Sequence, residues 1–119
     1  MTPFGARLRA IRAQRGMTLA KLAAELQVSA AYLSALEHGH RGAPSTGLVH
    51  QVCEVFGLIW DEADEVARLA RLSHPRVAID TAGLSPEATA LANRLAQTIR
   101  RLPPDTVAAL HAVLEQEER

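Results

Sequence analysis

Apolar positions along this chain fall mostly at helical spacing. The densest pattern is Gly16–Glu37, GMTLAKLAAELQVSAAYLSALE. Leu19, Leu22, Ala23 and Leu26 recur at i, i+3, i+4 and i+7, one face of an amphipathic helix. Leu33 and Leu36, with Val28 just ahead, define a second short helix. Thr18 and Ser29 are suited to cap the two helices. Only Gln27 and Val28 separate Leu26 from Ser29, so the pair must cross steeply, as in a helix-turn-helix. That arrangement leaves the second helix protruding, free to enter a DNA major groove.

The flanking pattern predicts more helix. Phe4, Leu8 and Ile11 mark the inward face of a helix over Phe4–Arg15, with Arg7, Arg9, Arg12 and Arg15 outward. His38–Pro44 is a loop punctuated by Gly and Pro. A fourth helix is expected from Ser45 to Phe56 through Leu48, Val52 and Val55 or Phe56, with Gly57 as its stop. A fifth is expected from about Trp60 to Leu72, with Trp60, Ala63, Val66, Ala67 and Ala70 inward and Asp61, Glu62 and Asp64 in its first turn. Ser73-His74-Pro75 ends it. Arg76–Asp80 then alternates, with Val77 and Ile79 on one side, and predicts one short strand. Ser85-Pro86 starts a sixth helix, about 86–101, with Ala88, Leu91, Leu95 and Ile99 in a stripe. A seventh, about 104–115, carries Val107, Leu110, Val113 and Leu114.

Composition narrows the class. The chain has 119 residues, 48% apolar and only 3% aromatic, which suits a small, largely helical core. No apolar run approaches the roughly 18 residues needed to cross a membrane, and no signal-peptide pattern opens the sequence. Cys53 is the one cysteine, so no intrachain disulfide can form. These features lead us to expect a cytoplasmic protein. Formal net charge is zero, but it is unevenly spread. Residues 1–50 hold six basic groups against two acidic, and residues 51–119 hold seven against eleven. A basic head on an acidic body suits a protein that turns one face to DNA.

The helix-turn-helix resembles that of the phage-repressor-like (Cro/C1-type, XRE family) transcriptional regulators. The resemblance rests on Gly16, Thr18, Leu22, Ala23, Val28, Ser29, Tyr32-Leu33-Ser34, Leu36-Glu37 and Gly39. Phe4-Gly5-x-x-Leu8-Arg9-x-x-Arg12 is similar to the family's first helix and Ser45–Leu58 to its fourth. It covers about Met1–Leu72 and implies an all-α fold. That fold is a five-helix lambda-repressor-like DNA-binding domain, residues 1–72, with residues 73–119 as a C-terminal extension of one strand and two helices.

By this resemblance Ala30, Ala31, Ser34 and Ala35 face base edges, with Ser29 outward at the start of the same helix. No Arg, Gln or Asn stands there, so bidentate readout of G or A is absent. Apolar contact with thymine methyls, one Ser34 hydroxyl bond and DNA shape remain. Thr18 and Lys21 at the second helix, Tyr32 beside the backbone, and His40 and Arg41 in the following loop are the expected phosphate contacts. The arginines of the first helix form a solvated face or pair with Glu37. His38, His40, His50 and Cys53 do not make a zinc set, since one cysteine is present and Cys53 falls at a helix core position. No cofactor is expected. No phosphate loop, nucleophile elbow or flanking carboxylate pair is present, so no enzyme is expected.

The function implied is a sequence-specific regulator, a homodimeric repressor on an inverted repeat, because one small head makes few base contacts and a two-fold site doubles them. The expected dimer interface is Val77 and Ile79, paired as antiparallel strands, with Leu91, Leu95, Ile99, Leu110 and Leu114 packed over them. The alternative is an interaction protein, such as the antitoxin of a toxin–antitoxin pair or a polymerase adaptor, whose tail covers a protein partner.

Overall fold

A computed structural model describes all residues, 1–119. The chain divides into two compact units, Met1–Val77 and Ala78–Arg119. The first holds α1 (Pro3–Gln14), α2 (Leu19–Leu26), α3 (Ala30–Glu37), α4 (Thr46–Phe56) and α5 (Asp61–Arg71). The second holds α6 (Pro86–Thr98), a 3-10 turn (Ile99–Arg101) and α7 (Pro104–Glu117). There is no strand.

Each helix of the first unit contributes one apolar stripe to a single core. Phe4, Leu8 and Ile11 come from α1, Leu22, Ala23 and Leu26 from α2, and Leu33 and Leu36 from α3. Leu48, Val52 and Phe56 of α4 meet Val66 and Ala70 of α5. Gly57, at φ 65°, closes α4, and the Leu58 N–H donates back to the Cys53 carbonyl.

Polar bonds fix α1 against the ends of α3 and α5. The Thr2 N–H donates to the Glu37 carbonyl at 3.0 Å, and the Gly5 N–H donates to Thr2 Oγ1 at 3.0 Å. The Phe4 N–H donates to Ser73 Oγ at 2.9 Å, and Ser73 Oγ donates to the Leu69 carbonyl at 2.6 Å. Ser73 is therefore an anchor for the opening turn of α1 as well as a helix terminator. Gly5 sits where α1 passes closest to α3: a Cβ there would lie 2.2 Å from the Glu37 carbonyl oxygen.

Two expectations are corrected. Trp60 does not face inward; it stands at the N-terminal boundary of α5 and is 81% exposed. Its backbone takes φ 53°, ψ −124°, which turns the side chain out of the stripe begun by Ala63. Residues 76–80 form no strand, and Val77 and Ile79 are exposed. A strand needs a ladder partner, and within this chain none is offered. Instead Asp80 Oδ1 accepts the Ala82 N–H at 2.9 Å, and the Leu84 N–H donates to the Thr81 carbonyl at 3.0 Å. These turns carry the chain into α6, whose N-terminus Ser85 caps through the Ala88 N–H at 3.1 Å.

In the second unit, Leu95 and Ile99 share an apolar groove of about 140 Å³ with Val107, Leu110 and Leu114. A continuous helix would separate Leu95 from Leu114 by roughly 28 Å. The chain therefore folds back at Leu102–Pro103. No residue of α6 or α7 is buried.

Candidate nucleic-acid interface

The helix-turn-helix is built by three caps and one left-handed residue. Thr18 Oγ1 accepts the Lys21 N–H at 3.1 Å and starts α2. Gln27, at φ 59° and ψ 40°, ends it, and the Val28 N–H donates to the Ala23 carbonyl at 3.0 Å. Ser29 Oγ then accepts the Tyr32 N–H at 3.0 Å and starts α3. Ser45 Oγ accepts the Leu48 N–H at 3.2 Å and starts α4.

The electrostatics of these helix starts differ from those of α5, α6 and α7, while α1 shares their lack of a first-turn acid. Acidic residues are favourable in a first helical turn, because they answer the positive end of the helix dipole. Asp61, Glu62 and Asp64 do so in α5, Glu87 in α6 and Asp105 in α7. The first turns of α2, α3 and α4 carry no acid at all. No first-turn carboxylate answers their dipoles. The starts of α3 and α4 border one open cleft of about 620 Å³, lined by Ser29, Tyr32, Ser45, Gly47 and Gln51 with Val28 and Leu48 at its base.

Of the residues expected from sequence, Ser29 and Tyr32 line this cleft. Ala30 and Ala31 are exposed on α3, while Ser34 and Ala35 are half-buried. Tyr32 is half-buried against the core, and the Arg41 guanidinium lies 5.8 Å from the centre of its ring. The loop that carries Arg41 is thereby brought next to α3. His40 is exposed, with its ring stacked on His38 at 6.4 Å; His38 Nδ1 lies 2.8 Å from the Ser34 carbonyl. Thr18 and Lys21 are exposed on α2, and the Lys21 ammonium lies 3.6 Å from Glu25, a surface pair of small energetic weight.

The arginines of α1 have separate fates. Arg12 turns inward to the Glu37 carboxylate, with one guanidinium nitrogen 3.3 Å from both oxygens. Glu37 is 1% exposed and the Arg12 side chain 11%, so the carboxylate is buried and the guanidinium partly so. Arg15 lies over the Phe56 ring at 5.1 Å, and Arg9 is exposed.

Sequence reasoning missed the contribution of α4. Ser45, Gly47 and Gln51 form one wall of the cleft. Ser45 followed by a first turn without acids was the available signal. Cys53, half-buried on the same helix, has its thiol pKa pushed up by burial.

Comparison with known proteins agrees with this construction. A family model described as a helix-turn-helix domain matches residues 3–69, which span α1 to α4 and most of α5. Two proteins of Bacillus subtilis (strain 168) are similar. One is the HTH-type transcriptional repressor RghR, 36% identical over 61 residues, covering 51% of this chain and 45% of that protein. The other is the uncharacterized HTH-type transcriptional regulator RghRB, 36% identical over 56 residues, covering 47% and 40%. The matched region thus spans less than half the length of either relative. No solved structure matches. With the capped α2–turn–α3 unit in place and more than half of the chain matched to the model, the chain belongs to the helix-turn-helix domain family.

Proposed function

We propose that the chain is a sequence-specific DNA-binding transcriptional repressor that acts as a homodimer on an inverted repeat. The observation that carries this reading is the set of acid-free helix starts beside the exposed face of α3. Phosphates of one strand would meet the N-termini of α2, α3 and α4, supported by Lys21, Tyr32, His40 and Arg41. Ala30, Ala31, Ser34 and Ala35 would then sit against base edges in the major groove. The similar protein RghR is a transcriptional repressor, which supports the same outcome.

The second unit supports the dimer. Helices of 13 and 14 residues are marginal alone, and neither buries a side chain here. Leu91, Leu95, Ile99, Leu110 and Leu114 form the face that a second copy would cover. Charge selects the orientation. The turn end carries Arg100 and Arg101 with Asp105, and the open end carries Glu87, Glu115, Glu117 and Glu118 with Arg119. An antiparallel pairing sets the positive turn of each copy against the negative end of the other.

The test is binding of purified chain to duplex DNA across salt concentrations. Lys21→Ala and Arg41→Ala should each weaken binding to every sequence and reduce the salt slope by about one unit. Wild-type slopes in both variants would remove the phosphate assignments. For the dimer, sedimentation of Leu91→Asp and Leu114→Asp should show monomers, whereas an undiminished dimer would rule out this helical interface.

A further inference from the structure

Trp60 is the one tryptophan of the chain, and most of its surface is in water. Ile59 beside it is 61% exposed. The backbone beneath them is strained. The Glu62 N–H donates to the Ile59 carbonyl at 3.2 Å, and Trp60 takes φ 53°, ψ −124°. That is the first central position of a type II′ turn, where glycine is the relaxed residue. An indole is thus held outward at a site where no side chain is favoured, a cost that points toward use.

Ile59, which directly precedes Trp60, lines a groove of about 530 Å³ between α4 and α5. Val49, Cys53, Leu58, Ala63 and Ala67 make its apolar walls. Glu54, Asp64 and His50 also line it, and Asp61 and Glu62 follow Trp60 directly. The acids of the first turn of α5 also serve its dipole, but Glu54 does not. It lies in the last turn of α4, where the dipole disfavours an acid.

Charge decides what this face can hold. Four carboxylates repel DNA and anionic lipid. They equally oppose a second copy, because a two-fold axis here would set each carboxylate cluster against its duplicate. A cationic partner meets no such barrier. We propose that Trp60 and the α4–α5 groove bind a basic amphipathic helical segment of another protein. Its apolar side enters the groove, its lysines or arginines pair with Glu54, Asp61 and Asp64, and one cation lies over the indole. The groove shares no lining residue with the cleft at Ser29 and Ser45, so a regulator seated on DNA could hold this partner at the same time.

The single tryptophan makes the test site-specific. The full chain is titrated with a fluorescein-labelled 14-residue Lys/Leu amphipathic peptide. An equally patterned Glu/Leu peptide, phosphatidylglycerol vesicles and duplex DNA are run beside it. The Lys/Leu peptide should shift Trp60 emission to the blue and saturate, while the other three leave it unchanged. By peptide anisotropy, Trp60→Gly and the double variant Glu54→Gln/Asp64→Asn should lose at least tenfold in affinity. Lys21→Ala should bind the peptide as wild type does. Trp60→Gly should also melt several degrees higher, since glycine relaxes the turn, so its lost binding cannot come from unfolding. Three results would overturn the proposal. They are peptide affinity within twofold of wild type in Trp60→Gly, a vesicle-induced shift equal to the peptide's, or a blue shift on raising protein concentration alone, which would make a second copy the occupant.

Discussion

Glu37→Ala is the perturbation whose cost follows most directly from the geometry. Glu37 closes α3, is 1% exposed, and holds the Arg12 guanidinium at 3.3 Å; the Arg12 side chain is itself only 11% exposed. At that separation the attraction is about 5 kcal/mol for an effective dielectric of about 20. Much of it is offset by the desolvation of both groups, so the pair adds little relative to an apolar pair of the same volume. Removing one partner is a different matter, because the other charge stays buried and uncompensated, at about 3–5 kcal/mol. A unit of 77 residues has a total stability of about 4–12 kcal/mol. The variant should therefore melt about 12–40 °C lower, at about 4–8 °C per kcal/mol for a domain of this size. Arg12→Met should cost a similar amount. The double variant Arg12→Met/Glu37→Leu should recover most of the loss, because no charge is then stranded. The assay is thermal unfolding followed by far-UV circular dichroism on all four proteins. A fall of under 4 °C in Glu37→Ala, or a double variant as unstable as the sum of the singles, would refute the reasoning.

Three further outcomes follow from single positions. Gly5→Ala should destabilise the first unit by about 1–3 kcal/mol in urea unfolding, because its Cβ would meet the Glu37 carbonyl oxygen at 2.2 Å and backbone must move. Gln27→Gly should raise stability by about 1 kcal/mol in the same assay, since an L-residue held at φ 59° carries a penalty that glycine lacks. Cys53, its thiol pKa raised by burial, holds less thiolate than a free cysteine at pH 8; iodoacetamide should label it more slowly, with the difference disappearing in denaturant.

Most of the fold could be read from local signals that do not depend on tertiary context. Thr18, Ser29, Ser45 and Ser85 each cap the helix they precede, and Gly57 ends α4 in the left-handed conformation. The inward stripe of α1 through Phe4, Leu8 and Ile11 followed from spacing alone. Readings failed where a residue type fitted a pattern but the backbone did not. Trp60 falls three residues before Ala63, at stripe spacing, yet the turn before α5 rotates it to solvent. Val77 and Ile79 alternate over only two positions, and alternation cannot supply a pairing partner. The spacing places Arg12 in an outward set, with Glu37 open as a partner to any of the arginines. Four arginines on one helix look equivalent in sequence, and only the packing of α1 on the end of α3 selects Arg12. The cleft at Ser45, Gly47 and Gln51 depends on where α4, packed on α2 and α5, lies relative to α3, which no local pattern carries.

The central claim is that the acid-free helix starts and the face of α3 read a two-fold DNA site. Its most direct test is selection of bound duplexes from a random-sequence pool with the purified full chain, followed by hydroxyl-radical footprinting of the winner. The account predicts an inverted repeat whose half-sites lie one helical turn apart, about 10–10.5 base pairs between centres. It also predicts protected backbone on one face of the duplex, lost in Lys21→Ala/Arg41→Ala. A pool that shows no enrichment, or a protected site without two-fold symmetry, would contradict it.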